Sequence, residues 1–467
     1  MKLLCLGLFT SVYDNAQDYQ YVIQNSTDPS LVFSTSIARI MKAFMFSKLV
    51  DQFNDVPYFD ALKGQANLTP KYDDAVKIYE DLVKECNESM AAIATGLAAN
   101  VTTPGSIPFP NAKADPVFAA TDQTANMVNW RRFANSLKLR LLVKLATSGK
   151  SAAFANAQFA AYDTTLGIIT DDVTVNPGFG KVAGQQAPIY NSMGYSVAGV
   201  RAYAQRIPTR WIATFFNGVK IQDPARAAVL FRSIADANTN QLGNESTVTT
   251  QVPPTTPISS SSFYTGTTVG GDALGAVKGA GQSAVVMLWS EAQFLLAEAY
   301  ERGYLAGGTA AATTAFNNGV TNHFRYLYKT AAARNATTGA ETVDASKNPT
   351  TDANTYRTTN AAVRLVNYSL NTTLDQRIEA IMTQKYIALS IIASDEAFNE
   401  FRRTGYPAIV NGSAVATETF ASRASASTRP DRLPSRILYP TSEYATNSAN
   451  APAGINQFTS RIFWDLN

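Results

Sequence analysis

The stretch Arg402-Arg403-Thr404-Gly405-Tyr406-Pro407 decides how this chain is read. Upstream of it, apolar periodicity predicts a long helix from Thr373 to Ile392, carrying Gln384-Lys385-Tyr386, and a shorter one around Glu396 to Arg403. Glycine accepts the left-handed backbone just past a helix end, and proline cannot continue a helix, so the segment stops there. Downstream, Arg432-Leu433-Pro434 and Tyr439-Pro440-Thr441-Ser442-Glu443 describe a proline-rich return. Paired arginines at a helix end, followed by such a return, predict a docking corner that fixes the last helix against the return, with Arg402 and Arg403 satisfying carbonyls or carboxylates there. They do not predict a catalytic loop.

Outward from that corner the chain reads as mainly helical. The clearest stripe lies between Asp73 and about Ala99, where Ala75, Ile78, Tyr79, Leu82, Val83 and Cys86 recur on one face. Asp73 and Asp74 stand where a cap and the helix dipole favour carboxylates. An earlier helix runs from Ser34 to about Phe53 and ends in Asn54-Asp55-Val56-Pro57-Tyr58. Further helices are predicted over about Ala125–Thr147, Ser290–Arg302 and Ala310–Tyr328. The last two, broken at Gly303 and rich in small residues, look like a tetratricopeptide hairpin, although no clean 34-residue period is present. Long irregular stretches separate these blocks: 166–195, 241–282 and the Thr/Ala/Asn-rich 332–360.

Composition narrows the function. Of 467 residues, 46% are hydrophobic and only 16% charged, with a net charge of +3 and no basic stripe. Such a surface does not suit nucleic acid; it suits neutral ligands that hydrogen-bond to amides and hydroxyls. The single histidine, His323, leaves little room for a zinc site or a His-dependent triad, and it reads as structural. Cys5 and Cys86 form neither a disulfide framework nor a metal-binding spacing, and no metal or cofactor is expected. No phosphate-binding loop or nucleophile elbow is present. Asp171-Asp172 and Glu298/Glu301 are the nominal carboxylate pairs; the first fits a turn and the second a solvated helix face. Trp130, Trp211 and Trp289 read as core. Met1–Phe9 reads as a helix start exposed by truncation rather than an export signal.

Sugars stack their C–H faces on aromatic rings and bond their hydroxyls to Asn, Gln and Arg. On that ground the ligand-binding candidates are Tyr190, Tyr195, Gln186 and Asn191, with Phe263 and Tyr264 in the second irregular stretch. An aromatic anchor that pins its loop explains the same residues.

The motifs line up in order with a known family. Asn54-Asp55-Val56-Pro57-Tyr58 with Pro70-Lys71-Tyr72-Asp73 resembles its G-D-[IV]-P-[YF]…P-x-[YF]-D element, with Asn54 where Gly is usual. Phe133-Ala134-Asn135-Ser136-Leu137-Lys138-Leu139-Arg140, Asp223-Pro224-Ala225-Arg226, Ser290 to Ala299, Gln384-Lys385-Tyr386, Glu400 to Pro407 and Phe463-Trp464-Asp465 complete the series. Together they resemble the SusD/RagB family of Bacteroidetes, in the SusD-like branch with RRTGYP, over about residues 33–467. The resemblance implies a mainly α fold, a tetratricopeptide-like helix-pair scaffold with long loops and little β structure. Over 1–467 it implies one N-terminally truncated SusD-like unit. Its helical scaffold would span about 33–165 and 285–405, its ligand-facing irregular part about 166–284 and 330–372, and its C-terminal return 406–467.

It further implies a non-catalytic, cell-surface, glycan-binding component of a nutrient uptake complex at the outer membrane. The partner would be a SusC-like TonB-dependent transporter, and attachment would run through a lipid anchor that this chain does not show. Two other readings compete: an intracellular tetratricopeptide-like adaptor, and an all-α glycoside hydrolase.

Overall fold

The structure, a computed structural model, describes residues 2–111, 115–202, 207–234, 263–331, 335, 337–422 and 424–467, with side chains from residue 7 onward. Cys5 and most of the 241–282 stretch, up to residue 262, therefore lie outside the described side chains. The chain forms two compact units, one of Met1–Phe118, Asp122–Thr170 and Pro434–Asn467, the other of Ala119–Thr121 and Asp171–Leu433.

In the first unit five helices pack in succession: α1 (Lys2–Asn25), α2 (Val32–Phe53), α3 (Ala75–Thr102), α4 (Gln123–Ser148) and α5 (Ala152–Ala160). The stripe on α3 is buried as the spacing predicts, Cys86 included. Asp74 is the cap, accepting the Lys77 N–H at 3.0 Å. Asp73 turns the other way and accepts the N–H groups of Tyr58 and Phe59, each at 2.8 Å. One carboxylate thus clamps the Val56-Pro57-Tyr58 turn to the start of α3. Asn54 takes a φ of 63°, a left-handed conformation that asparagine tolerates better than most residues. Its side chain accepts the Phe463 N–H at 2.7 Å, so the carboxamide does work that a glycine there could not.

The proline-rich return closes this unit. Tyr439 donates its hydroxyl to the carbonyls of Phe53 and Asp55 at 2.9 and 2.6 Å, and Arg436 reaches the Phe53 carbonyl as well. A short helix, Thr441–Thr446, follows, and beyond it Asn447 donates to the Pro70 carbonyl at 2.8 Å. The centre of the lock is Asp51, buried on α2. It accepts the Trp464 indole N–H at 2.8 Å, the Lys144 ammonium at 2.7 Å and the Tyr79 hydroxyl. A buried carboxylate needs such partners, because an unpaired charge in this interior would cost several kcal/mol.

In the second unit β1 (Val173–Val175), α6 (Pro188–Met193), α7 (Arg210–Ala213) and α8 (Pro224–Leu230) precede β2 (Ala284–Met287). Then come α9 (Trp289–Glu301), α10 (Gly308–Leu327), α11 (Pro349–Thr359), α12 (Leu374–Leu389) and α13 (Ser394–Thr404). The strands β1 and β2 pair antiparallel, Val173 opposite Met287 and Val175 opposite Ala284, with an irregularity after Val173. Helices α9 and α10 pack as a pair, as do α12 and α13, and α12 also packs on α9. The fold is mainly α, as expected.

Three expectations need correction. Residues 349–359, assigned to an irregular stretch, form α11, capped by Asn348, whose side chain accepts the Thr351 N–H at 3.0 Å, with Pro349 in the first turn. Its only buried side chains are Ala353 and Tyr356, too few for an apolar stripe to show. Trp289 is half-buried rather than core, under the Arg325 guanidinium. Glu298 and Glu301 do not lie on a solvated face: their side chains are 0% and 2% exposed. Arg403 and Arg302 hold Glu298, while Arg377 donates to Glu301 at 2.7 Å and the Tyr368 hydroxyl at 2.9 Å. Arginines brought in from other elements make burial tolerable, and i, i+3 spacing alone cannot reveal them.

Candidate functional site

In the segment 176–202, which flanks the short helix α6, side chains hold the irregular backbone in place. Asn176 accepts the N–H groups of Gly178 and Phe179 at 3.0 and 2.9 Å and donates to the Gly281 carbonyl at 2.9 Å. Gln186 donates to the Tyr195 carbonyl at 2.9 Å, and the Ala187 N–H to the Ala280 carbonyl at 2.8 Å. Tyr195 pairs with Arg201 in an isolated antiparallel bridge across a tight turn, in which the Ser196 N–H donates to the Val200 carbonyl at 2.7 Å and the Val200 N–H to the Ser196 hydroxyl at 3.1 Å. A second segment, 266–272, lies against the first: Lys181 donates to the Gly270 carbonyl at 3.3 Å, and Gly199 approaches Val269.

The six sequence-selected residues divide by burial. Tyr190 and Tyr195 are each 1% exposed and Phe263 is buried; all three belong to the core that also holds Trp211, Phe215 and Phe231. Gly194 sits against Tyr190 so closely that a Cβ there would lie 2.7 Å from the ring. These three rings anchor their loops, and in this conformation their faces are covered by protein. Gln186 and Tyr264 are half-buried, the Tyr264 N–H donating to the Leu230 carbonyl at 3.0 Å, and Asn191 is exposed. What the loops present to solvent instead is Gln185, Asn191, Thr267 and Thr268 together with Val182, Val197, Val200 and Val269. Sequence reasoning missed the valines, since it searched for rings and an isolated valine in a loop carries no signal.

The charged clusters beneath are structural. Lys329 donates to Asp171 at 2.7 Å and Asp172 at 2.6 Å, and lies 3.7 Å from Glu341. Burial would strip its proton, but the three carboxylates more than offset this and hold it firmly charged. Burial raises the Asp172 carboxyl although Lys329 opposes it, and Arg325 adds a second cation on Asp171 at 3.0 Å, so the pair is tied into a packed ion cluster. His323 is buried, and its Nδ1 lies 3.0 Å from an Arg226 guanidinium nitrogen. Burial, then the Arg226 and Lys278 charges, hold the imidazole well below its usual range, so it stays neutral and accepts from Arg226. Among the described residues no group of His, Cys, Asp and Glu is arranged to hold a metal ion, and no helix is long and apolar enough to cross a membrane.

The helix-pair scaffold carries a loop-built face on which exposed carboxamides, hydroxyls and valine methyls stand beside the exposed Lys181 and Asp272, while the buried charges beside Lys329, Arg226 and Glu298 are paired with one another. Residues 6–440 match the sequence model of the SusD-like family described as starch-binding and associating with the outer membrane. The chain belongs to that family, whose members bind rather than catalyse. Its fold is similar to that of a chitin-binding SusD homologue from Flavobacterium johnsoniae, with 19% identity over 98% of this chain and 86% of that one and a TM-score of 0.68. SusD homologues from Bacteroides uniformis and Bacteroides fragilis match over 98% and 97% of this chain and 85% and 89% of theirs. Their identities are 21% and 15%, and their TM-scores 0.65 and 0.66. No curated protein sequence matches significantly.

Proposed function

We propose that this protein is the glycan-binding component of a nutrient uptake complex at the outer-membrane surface, held there by a lipid anchor and working with a SusC-like TonB-dependent transporter. The observation that carries this reading is the family match over residues 6–440, to a family described as starch-binding and associated with the outer membrane. The loop face of the second unit supports it. Exposed carboxamides and hydroxyls beside valine methyls offer hydrogen bonds and apolar contact, which suits a neutral oligosaccharide. Gln186, Asn191 and Tyr264 remain the sequence-selected residues accessible enough to take part; Tyr190, Tyr195 and Phe263 would act by holding the loops in place. Titration calorimetry of the full chain against maltohexaose, chitohexaose, xylohexaose and mannohexaose tests it, alongside co-purification with a TonB-dependent transporter from outer membranes. Binding of at least one hexasaccharide without product formation is expected. Absence of any binding, together with failure to co-purify, would overturn the proposal.

A further inference from the structure

In the first unit two adjoining surface depressions, of about 560 and 220 Å³, share Phe59 and Asp81. Phe59 is 50% exposed, although it directly follows a buried tyrosine. Its position is fixed from below: the backbone N–H is clamped on Asp73 at 2.8 Å, and the ring stands edge-on to Tyr58 with centroids 4.9 Å apart. Tyr58 is tied in turn, its hydroxyl donating to Asp81 Oδ2 at 2.8 Å. An apolar ring is therefore held in solvent by buried structure, where a merely tolerated surface residue would have no such support.

The larger depression is also lined by Asn87 on α3 and by Phe154 and Gln158 on α5. Asn87 Nδ2 donates to Gln158 Oε1 at 2.8 Å. That bond orients both amides and leaves Asn87 Oδ1 as an acceptor beside Gln158 Nε2–H as a donor. Adjacent hydroxyls of a sugar ring each donate and accept, and meet such a pair with two hydrogen bonds. Charge at the rim is committed: Lys77 lies 2.8 Å from Glu80, which also accepts the Ser151 hydroxyl at 2.5 Å, and Lys84 lies 3.7 Å from Glu88. Among the described residues lining the larger depression, both lysines therefore stand beside a carboxylate. A wholly apolar ligand would leave the oriented amides unsatisfied at a cost of about 1–3 kcal/mol each. The volume falls within the range of roughly 300–1,000 Å³ typical of small-molecule sites.

We propose that this groove is a second saccharide site, carried by the helical unit. It takes a neutral pyranose stacked on Phe59, with vicinal hydroxyls on Asn87 and Gln158 and a further hydroxyl on Asp81. This assignment rests on the reading that the chain binds glycans, and adds a place where it does so away from the loops.

The test is titration of the full chain and of Phe59→Ala, Asn87→Ala and Gln158→Ala with the same four hexasaccharides, with thermal melts of each variant. Asn87 and Gln158 are surface positions, so these variants keep the test open if Phe59→Ala disturbs the turn. With the hexasaccharide that the unaltered chain binds, a stoichiometry near two is expected, falling to one in each variant, or a loss of about tenfold or more in the weaker affinity. Wild-type stoichiometry and affinity in all three variants would overturn the second site while leaving glycan binding itself intact. If the unaltered chain binds no hexasaccharide, the second site falls, and with failure to co-purify the reading it rests on falls too. If the variants lose transporter co-purification but keep full glycan binding, the groove is a protein-docking face and the saccharide assignment is wrong.

Discussion

Arg403 meets Glu298 end to end, its two terminal nitrogens donating to the two carboxylate oxygens at 2.8 and 2.6 Å, with both side chains fully buried. The pair joins α13 to α9. Glu400 lies 2.5 Å from the same guanidinium, Lys385 lies 3.3 Å from Glu400, and Arg302 donates to Glu298 at 2.7 Å. Residues from α9, from the Gln384-Lys385-Tyr386 helix α12 and from the Arg402–Pro407 corner thus share one charge network. This is why those motifs stand together in one chain: each supplies a charge that the others need in order to be buried.

Arg403→Met leaves Glu298 and Glu400 buried without their main cation, and is expected to cost about 3–5 kcal/mol in urea unfolding. Arg403→Lys keeps the charge but not the two-pronged geometry and should fall between. The Glu298 carboxyl is pushed up by burial, yet Arg403 and then Arg302 bring it below its ordinary 4.5. Its stabilising contribution is therefore present above about pH 4.5 and lost as pH falls through the lower folded value. The difference between wild type and Arg403→Met should shrink on acidification; an unchanged difference would mean that the network contributes nothing electrostatic.

Tyr190 separates anchoring from ligand contact. Its ring is 1% exposed and its hydroxyl has no hydrogen-bond partner among the described residues. Tyr190→Phe should therefore leave stability unchanged or slightly raised, and leave hexasaccharide affinity unchanged. Tyr190→Ala opens a cavity worth about 3–5 kcal/mol by analogy with other buried aromatics. A drop in affinity in the folded Phe variant would show that the hydroxyl reaches ligand after all.

The helices were legible because their faces repeat: six stripe residues on α3 are all buried, and the corner at Gly405 adopts the left-handed turn that its composition asks for, with φ 76°. Arg403 does satisfy carboxylates, but they belong to α9 and to its own helix α13, where the sequence points to the C-terminal return. What could not be read was which carboxylates, because Glu298 lies 105 residues away and looks, on its own helix, like a surface residue. The loop site was least legible for the same reason. Tyr190 and Asn191 are neighbours in sequence, yet one is buried and the other exposed, and only the tertiary packing of a segment without periodicity decides between them. Phe59 directly follows the Pro57-Tyr58 motif, and nothing in the sequence marks a single ring there as exposed.

Asp51 predicts how the C-terminal return detaches. Trp464 is 0% exposed, donates to Asp51 and lies under the Lys144 ammonium, 5.3 Å from the ring. Trp464→Ala removes both the buried ring and one partner of a buried carboxylate, and a loss of about 3–5 kcal/mol is expected. Limited proteolysis should then cut within 434–467 at protease concentrations that leave the wild type whole. Equal cleavage rates would show that Tyr439 and Asn447 suffice to hold the return.

Lys278 predicts an unusual alkaline limb. Its ammonium donates to the carbonyls of Gly275 and Tyr326 at 2.6 and 2.8 Å and lies 4.4 Å from the Tyr326 ring centroid, wholly buried in the second unit. Burial pushes its pKa down to about 7 from 10.5. Between those two values the unfolded chain binds more protons than the folded one, so stability rises with pH across that window and is level below it. Compared with Lys278→Met, in which this group is absent, wild type should gain at most about 1.4 kcal/mol per pH unit between pH 7 and 10. Urea unfolding of both proteins at pH 6, 7, 8 and 9 reads the difference directly, with contributions from the tyrosines cancelling between them. A difference that stays flat across the series would show that the carbonyls and the ring keep the ammonium charged at its ordinary pKa.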